Sequence, residues 1–478
     1  MGLTDTVSRY FDLDGRGSDL RTESIAGLTT FLTMSYIIVV NPALLSIVIS
    51  PEGVSDVRVF QMLAVVTILA SVAGMLVMAF YADLPFGLAP GMGLNAFFVT
   101  VVLSPTLNIT WQTALAAVFV EGIVFVALTL VGAREYVINL FPEPVKLGVG
   151  AGIGLFLASI GLQFMRITAV DPDDMMTLSP VLAQDPVAII AVIGILLTFF
   201  LYVKGIRGAI VLGILSTAVM GYVAGALGFE PFSGTLPKEG QILAPNVTLA
   251  PGIDQITYGA AAYDITPLVG AFIDGIQGVE AVTFAFVVFT FFFVDFFDTA
   301  GTLTGLGQEA GYLDEDGDFP EMNKPLMADA VGTTIGSILG TSTVTTFVES
   351  STGIEEGGRT GLTALVIAAL FLLALVFVPL VGAIPSFAPY VALVIVAVFM
   401  VRNVTEIKWE DPAHAIPATL TIALMPLTSS IATGIAAGLV SYPIVKGAQG
   451  EVSDVRLGQW ALAALVLLYY FVRTNALV

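Results

Sequence analysis

The residues with the most chemical content are two acids inside an apolar run, Phe291-Phe292-Phe293-Val294-Asp295-Phe296-Phe297-Asp298-Thr299-Ala300-Gly301. Asp295 and Asp298 are three positions apart, so on a helix they share one face. A carboxylate at mid-bilayer costs about 2.5–3.5 kcal/mol even on insertion scales. Such a pair must face a cavity, and two acids this close can hold one proton between them. That is the chemistry of a proton-coupled site, in which one acid binds substrate and the other carries the proton. The competing reading, a span end that puts both acids in water, is disfavoured by the flanking aromatics.

Glu349 is a third acid, directly after the Thr-rich run Gly340-Thr341-Ser342-Thr343-Val344-Thr345-Thr346-Phe347-Val348. Asn95 is its counterpart after Pro90-Gly91-Met92-Gly93-Leu94. Both could cap half-helices, a job that suits Asn and suits Glu poorly. Glu121 and Asp329 also lie in apolar surroundings, where tying two helices together and serving a site fit equally well. His414 reads as an ordinary surface histidine beside Lys408 and Asp411. Most Phe residues read as lipid-facing or core filler. Phe97, Phe98, Phe296 and Phe347 are near enough to the polar residues to stack on a flat ligand.

Elements that could position these groups recur from end to end. A spanning helix needs about 20 apolar residues. Candidates lie near 24–44, 59–81, 109–132, 145–166, 186–203, 208–228, 280–306, 326–340, 361–382, 388–402, 412–427 and 429–447. Two shorter units, 86–103 and 341–357, are interrupted by Gly and Pro or by Thr. Together these make about fourteen transmembrane segments; 457–475 is an additional spanning or interfacial helix. Each interrupted unit is the third of its half, and matched interruptions point to a transporter site built from inverted repeats. Pro90 lacks a donor, Gly91 and Gly93 permit extended or left-handed backbone, and the β-branched run through Thr343, Thr345 and Thr346 favours a short strand. Each strand should lead into a half-helix, and the two strands should pair. The short loops with Arg9, Arg16, Arg21, Arg134, Lys204, Arg207, Arg359, Arg402 and Lys408 set the cytoplasmic side.

Composition excludes most other classes. Of 478 residues, 56% are hydrophobic and 12% charged, against about 25% charged in soluble domains. Mean hydropathy is +0.94. With 17 basic and 38 acidic residues the formal charge is −21, the wrong sign for nucleic-acid binding. No Cys and one His leave no disulfide framework, no thiolate metal site and no multi-His centre. Much of the acid reads as solvated loop: Asp171, Asp173, Asp174, Asp185, Glu309, Asp314, Glu315, Asp316, Asp318 and Glu321.

At these residues the chain resembles the azaguanine-type purine permeases, a branch of the nucleobase–cation symporter-2 family. The resemblance is carried by Phe11-Asp12-Leu13, by Thr29 to Tyr36, by Gly91 to Phe98 and by Asp295 to Thr302. It continues through Thr345 to Ser350 and Glu356-Gly357-Gly358-Arg359-Thr360-Gly361. It implies an all-α polytopic membrane protein, a 7+7 inverted repeat with two short strand/half-helix segments, and core and gate domains. Purine nucleobases (hypoxanthine, guanine or adenine) would enter with a proton, sodium remaining open as the coupling ion, and no cofactor would be needed. Asn95, Asp295 and Glu349 would contact the base and Asp298 would serve coupling. Thr346, Phe347, Val348 and Phe97 are counted with the substrate site, and Gly91, Gly93, Thr343 and Thr345 with its backbone. The expected layout is a cytoplasmic N-terminus (1–22), core halves 23–135 and 278–383, gate halves 136–228 and 384–448, an extracellular loop (229–277) and a C-terminal segment (449–478). Partners would be the base and the lipid bilayer of the plasma membrane, with a homodimer left open. The competitors are a uracil or xanthine symporter on the same fold and a membrane enzyme using acids on a metal. The enzyme would need Lys and Arg for its substrate's phosphates, which the spans barely supply.

Overall fold

The computed structural model describes residues 3–104, 107–132, 141–171, 175–236, 241–245, 247–251, 256–277, 280–314 and 319–475. Arg134 and the loop acids Asp173, Asp174, Glu315, Asp316 and Asp318 lie outside them. The molecule is an all-α polytopic membrane protein with a few short strands. Its principal elements are α1 (Leu20–Met34), α2 (Ile37–Leu45), α3 (Asp56–Val77), β1 (Leu88–Pro90), α4 (Met92–Leu103), α5 (Trp111–Val131), α6 (Glu143–Phe164), β2 (Thr168–Asp171) and β3 (Met175–Leu178). There follow α7 (Pro186–Val203), α8 (Ala209–Ala226), α9 (Ala281–Ala310), α10 (Asn323–Leu339), β4 (Val344–Thr346), α11 (Ser351–Glu355), α12 (Gly361–Ala374), α13 (Val391–Val401), α14 (Pro412–Leu427), α15 (Ile431–Ala448) and α16 (Leu457–Asn475). Among the described residues ten helical stretches are long and apolar enough to cross a membrane, and α4 and α14 are shorter apolar helices.

The helix ends follow local chemistry. Asp19 accepts from Thr22 N–H at 2.7 Å to start α1, and Asp185 accepts from Val187 N–H to start α7, with Pro186 at its first position. Gly311 and Gly340 take positive φ to end α9 and α10.

The chain divides into two compact units. The first, Met1–Thr129 with Gly161–Ile395, contains the four strands found among the described residues. Here β1 and β4 pair antiparallel, Leu88 opposite Thr346, Ala89 opposite Thr345 and Pro90 opposite Val344. The sequence places them about 256 residues apart, so only the fold joins them. Glycines on α3 and α10 admit the pair: a Cβ on Gly332 would lie 2.8 Å from Val344 Cγ1, and one on Gly74 would lie 3.1 Å from Leu88 Cδ2. A second hairpin joins β2 to β3. Asp171 and Asp185, read from sequence as solvated, are buried here. Asp185 pairs with Arg166 at 3.3 Å, and Asp171 accepts from Gln241 at 2.8 Å. A buried acid needs such partners, and the sequence places neither partner next to it.

The second unit, Leu130–Ile160 with Val396–Val478, is built on α14 against α15. Gly434 and Gly438 bring them close: a Cβ on Gly438 would run into Thr421 Oγ1. The C-terminal α16 lies against α15, with Thr433 and Tyr470 hydroxyls 3.4 Å apart. His414 is buried in the first turn of α14 rather than exposed, 3.9 Å from Asp411.

Candidate functional site

The site grows out of the crossing of β1 and β4. Beyond the strand register, Gly91 N–H donates to Thr343 C=O at 3.0 Å and Phe347 N–H donates to Gly87 C=O at 2.9 Å. Gly91 is the N-cap of α4, with φ −71° and ψ 131°. This is ordinary extended backbone, so no left-handed conformation demands glycine there. The demand is proximity, because a Cβ on Gly91 would lie 2.6 Å from Thr345 Cγ2. Gly93 is helical and buried in the first turn of α4, neither extended nor left-handed as the sequence reading allows. The second half-helix is shorter than its counterpart: a 3-10 turn over Val348–Ser350 leads into the five-residue α11.

Asn95 is the fourth residue of α4 and does not cap it. Its Oδ1 accepts from Ser342 Oγ. Its Nδ2 is buried without a hydrogen-bond partner in the structure. Glu349 is half-buried and does not cap either; its Oε1 accepts from Tyr36 O–H at 2.6 Å. The sequence reading missed Tyr36 as a site neighbour, although it closes one of the quoted motifs. A carboxylate has about four lone-pair positions, so Glu349 keeps acceptor capacity after this bond. Val348 beside it is exposed, while Thr346 and Phe347 are buried.

The remaining acids converge on β4 from three helices. Asp329, on α10, accepts from Thr346 N–H at 3.1 Å and from Thr346 Oγ1 at 2.9 Å. Glu121, on α5, accepts through Oε2 from Thr343 Oγ1 at 3.2 Å. Asp295, on α9, accepts through Oδ1 from Thr299 Oγ1 at 3.3 Å. Thr299 in turn lies 2.6 Å, hydroxyl to hydroxyl, from Thr345. Glu121 and Asp329, undecided from sequence, therefore both bind the broken segment. Asp298 is half-buried one turn along α9, and its charge is felt at Asp295, Asp329 and Glu349. The aromatic candidates divide. Phe97 packs edge-on against Phe291 at 4.5 Å, Phe347 lies 6.5 Å from Tyr36, and Phe296 is occupied by Phe125 and Phe292. Among the described residues no group of three His, Cys, Asp or Glu has a metal-holding arrangement.

A pair of strands leading into half-helices, with an unpaired amide and acids from several helices gathered on it, suits a polar ligand held at membrane depth. A model described as "Permease family" matches residues 21–437. The chain belongs to this family, the nucleobase–cation symporter-2 permeases. It is 39% identical to the guanine/hypoxanthine permease PbuG of Bacillus subtilis, covering 97% of this chain and 99% of that protein. It is 35% identical to the adenine permease AdeQ of Escherichia coli, covering 97% and 96%. In fold it is similar to the transmembrane domain of a cyanobacterial bicarbonate transporter, BicA, with a TM-score of 0.59 at 14% identity over 88% of this chain and 97% of that one. The permease is a multi-pass membrane protein and not an enzyme.

Proposed function

We propose that this permease imports purine nucleobases, hypoxanthine, guanine or adenine, together with a proton across the plasma membrane by alternating access, with its N-terminus cytoplasmic. The observation that carries this reading is the buried, unpartnered Nδ2 of Asn95 on the first broken segment, whose strand pairs with that of the second segment, the one that presents Glu349. A purine edge alternates N–H donors with ring-nitrogen and carbonyl acceptors. Glu349 and Asp295 accept, and the Asn95 amide donates. Sites built on such bonds discriminate analogues lacking a group far better than apolar ones. The names of PbuG and AdeQ support a purine over a pyrimidine. Asp298 has the coupling role, and Phe97, Phe347, Thr346 and Val348 shape the site around the base. The core halves 23–135 and 278–383 would carry the base, with 136–228 and 384–448 as the gate, in a 7+7 repeat inverted between the halves.

The test is uptake of labelled hypoxanthine into vesicles holding the purified protein, under an imposed pH step, with adenine, guanine, xanthine and uracil as competitors. Competition by purines and collapse of accumulation with a protonophore are expected. Uptake blocked by uracil alone, or driven only by a sodium gradient, would overturn the reading.

A further inference from the structure

Glu121 and Asp295 each have one oxygen that takes a threonine hydroxyl, from Thr343 and Thr299 respectively. Their other oxygens, Glu121 Oε1 and Asp295 Oδ2, are buried and receive no donor. Yet the two side chains lie within hydrogen-bonding reach of each other. Two carboxylate oxygens that face each other bond only if one carries a proton. Both groups are fully buried, and two ionised acids at this separation in a low-dielectric site repel strongly. The charged groups acting on Asp295 besides Glu121 are Asp329, from α10, and Asp298, on its own helix. All carry the same sign. The strand packed against the pair contributes threonine hydroxyls, not charge.

We infer that Glu121 and Asp295 form a carboxyl–carboxylate pair that holds one exchangeable proton, and that Glu121 is the coupling partner of the substrate-binding Asp295. This rests on the proposed function for the identity of the substrate, though the shared proton itself does not. The pair is also a mechanical link. Thr343, just before β4, bonds Glu121 directly, and Thr345, within β4, reaches Asp295 through Thr299, so both acids hang on one broken segment two residues apart. With the proton present, the pair holds β4 against β1 and leaves one negative charge for the purine N–H groups. With the proton lost, repulsion between the acids works to part α5 from α9 and to loosen the strand. Protonation and a formed site are thereby favoured together. Asp298, half-buried on α9, is placed to pass the proton between the pair and water.

The experiment uses the full chain in lipid vesicles. Infrared spectra without substrate should contain the carbonyl stretch of a protonated carboxyl that shifts in heavy water. It should be missing in Glu121→Gln and in Asp295→Asn, and present in Asp298→Asn. Hypoxanthine affinity of the wild type should rise as pH falls, by at most about tenfold per unit for one linked proton. In Glu121→Gln that dependence should fall below about twofold per unit, and accumulation under a pH step should be lost. The amide introduced by Glu121→Gln would still accept from Thr343 and would donate to Asp295, so the substitution preserves the local bonds. An unchanged carboxyl band in both Glu121→Gln and Asp295→Asn, or pH-driven accumulation by Glu121→Gln, would overturn the inference. Failure of the wild type to bind any purine would overturn the proposed function instead and leave the infrared result standing on its own.

Discussion

Two of the places where acids are withdrawn from water in the first compact unit treat them in opposite ways. Toward the ends of α1, α3 and α12, Glu23 takes Arg359 N–H at 3.0 Å, Thr360 N–H at 3.4 Å and Thr363 Oγ1 at 2.5 Å. Asp83, half-buried beside it, takes Gly361 N–H at 2.8 Å and pairs with Arg16 at 2.8 Å. Arg16 also donates to the carbonyls of Asp83 and Arg359. Both of these acids are provided for. At the strand crossing, by contrast, Asn95 Nδ2 keeps no partner, and Glu121 Oε1 and Asp295 Oδ2 receive no donor other than a proton shared between them. Leaving such an atom unpaired costs about 1–3 kcal/mol. A fold tolerates that cost where the atom is kept for something else. The difference separates acids that hold the molecule together from acids that work, which burial alone does not do.

The largest effect should come from the satisfied cluster. Glu23→Ala would strip acceptors from two buried donors, Thr360 N–H and Thr363 Oγ1, at about 1–3 kcal/mol each, and from the part-buried Arg359 N–H. We expect a loss of several kcal/mol, read as a steep fall in melting temperature in detergent. Glu23→Gln should recover part of it. Hypoxanthine affinity of whatever remains folded should be unaltered, and a large affinity loss with normal melting would erase the distinction between the two clusters.

Next in size is Glu349→Gln. A charge-assisted hydrogen bond to a purine N–H is worth about 1.5–3 kcal/mol, which at ~1.4 kcal/mol per decade is roughly 10- to 100-fold in affinity. Melting should change little, because the bond from Tyr36 survives on the amide oxygen. Calorimetry returning wild-type affinity would remove Glu349 from the site. Asp298→Asn should act differently again, sparing binding while abolishing accumulation under a pH step.

Gly91→Ala tests the crossing itself. Its Cβ would enter Thr345 Cγ2 at 2.6 Å, and overpacking of this kind costs about 1–3 kcal/mol. Thr345→Ser removes that methyl and keeps the hydroxyl bonded to Thr299. The double variant should therefore melt and bind closer to wild type than Gly91→Ala does. Additive losses would mean that the glycine is needed for another reason.

Much of this was legible in the chain before folding. The broken units announce themselves through Pro90, Gly91 and the threonine run, since such residues interrupt an otherwise apolar helix pattern. Their pairing in space followed from the matched positions in the two halves. The quoted motifs divide as the acids do: Gly91 to Phe98, Asp295 to Thr302 and Thr345 to Ser350 build the crossing, whereas Arg359-Thr360-Gly361 completes the satisfied cluster with Glu23 and Asp83. The motif at Phe11 and Leu13 is buried against Leu362. What sequence could not give was partnership at a distance. Glu121 and Asp295 are separated by 174 positions and Glu23 and Thr363 by 340, and no local pattern tells which buried acid meets donors and which meets another acid. The same gap misplaced Asp185, whose partner Arg166 becomes visible only once β2 and β3 fold back between them.

The smallest effect belongs to a satisfied acid at the surface of the second unit. Asp411 starts α14, accepting from Ala413 N–H at 2.9 Å and from Gln449 at 3.1 Å. Those bonds, the Ala413 amide first, hold its carboxyl below the ordinary value of 3.8. A depressed acid contributes stability that is present above its unfolded pKa and lost as pH falls through the folded one. Asp411→Asn keeps an acceptor for Ala413 but has no proton to lose, so its melting temperature should lack that acid-side decline. At neutral pH it should lie slightly below the wild type, by no more than about 1 kcal/mol, the usual worth of a cap. The two curves should converge as pH falls and the wild-type carboxyl protonates, below the ordinary value of 3.8. Curves that stay parallel from neutral to acid pH would show that the charge of Asp411 contributes nothing, and the contrast between held and unheld acids would then stop at the buried ones.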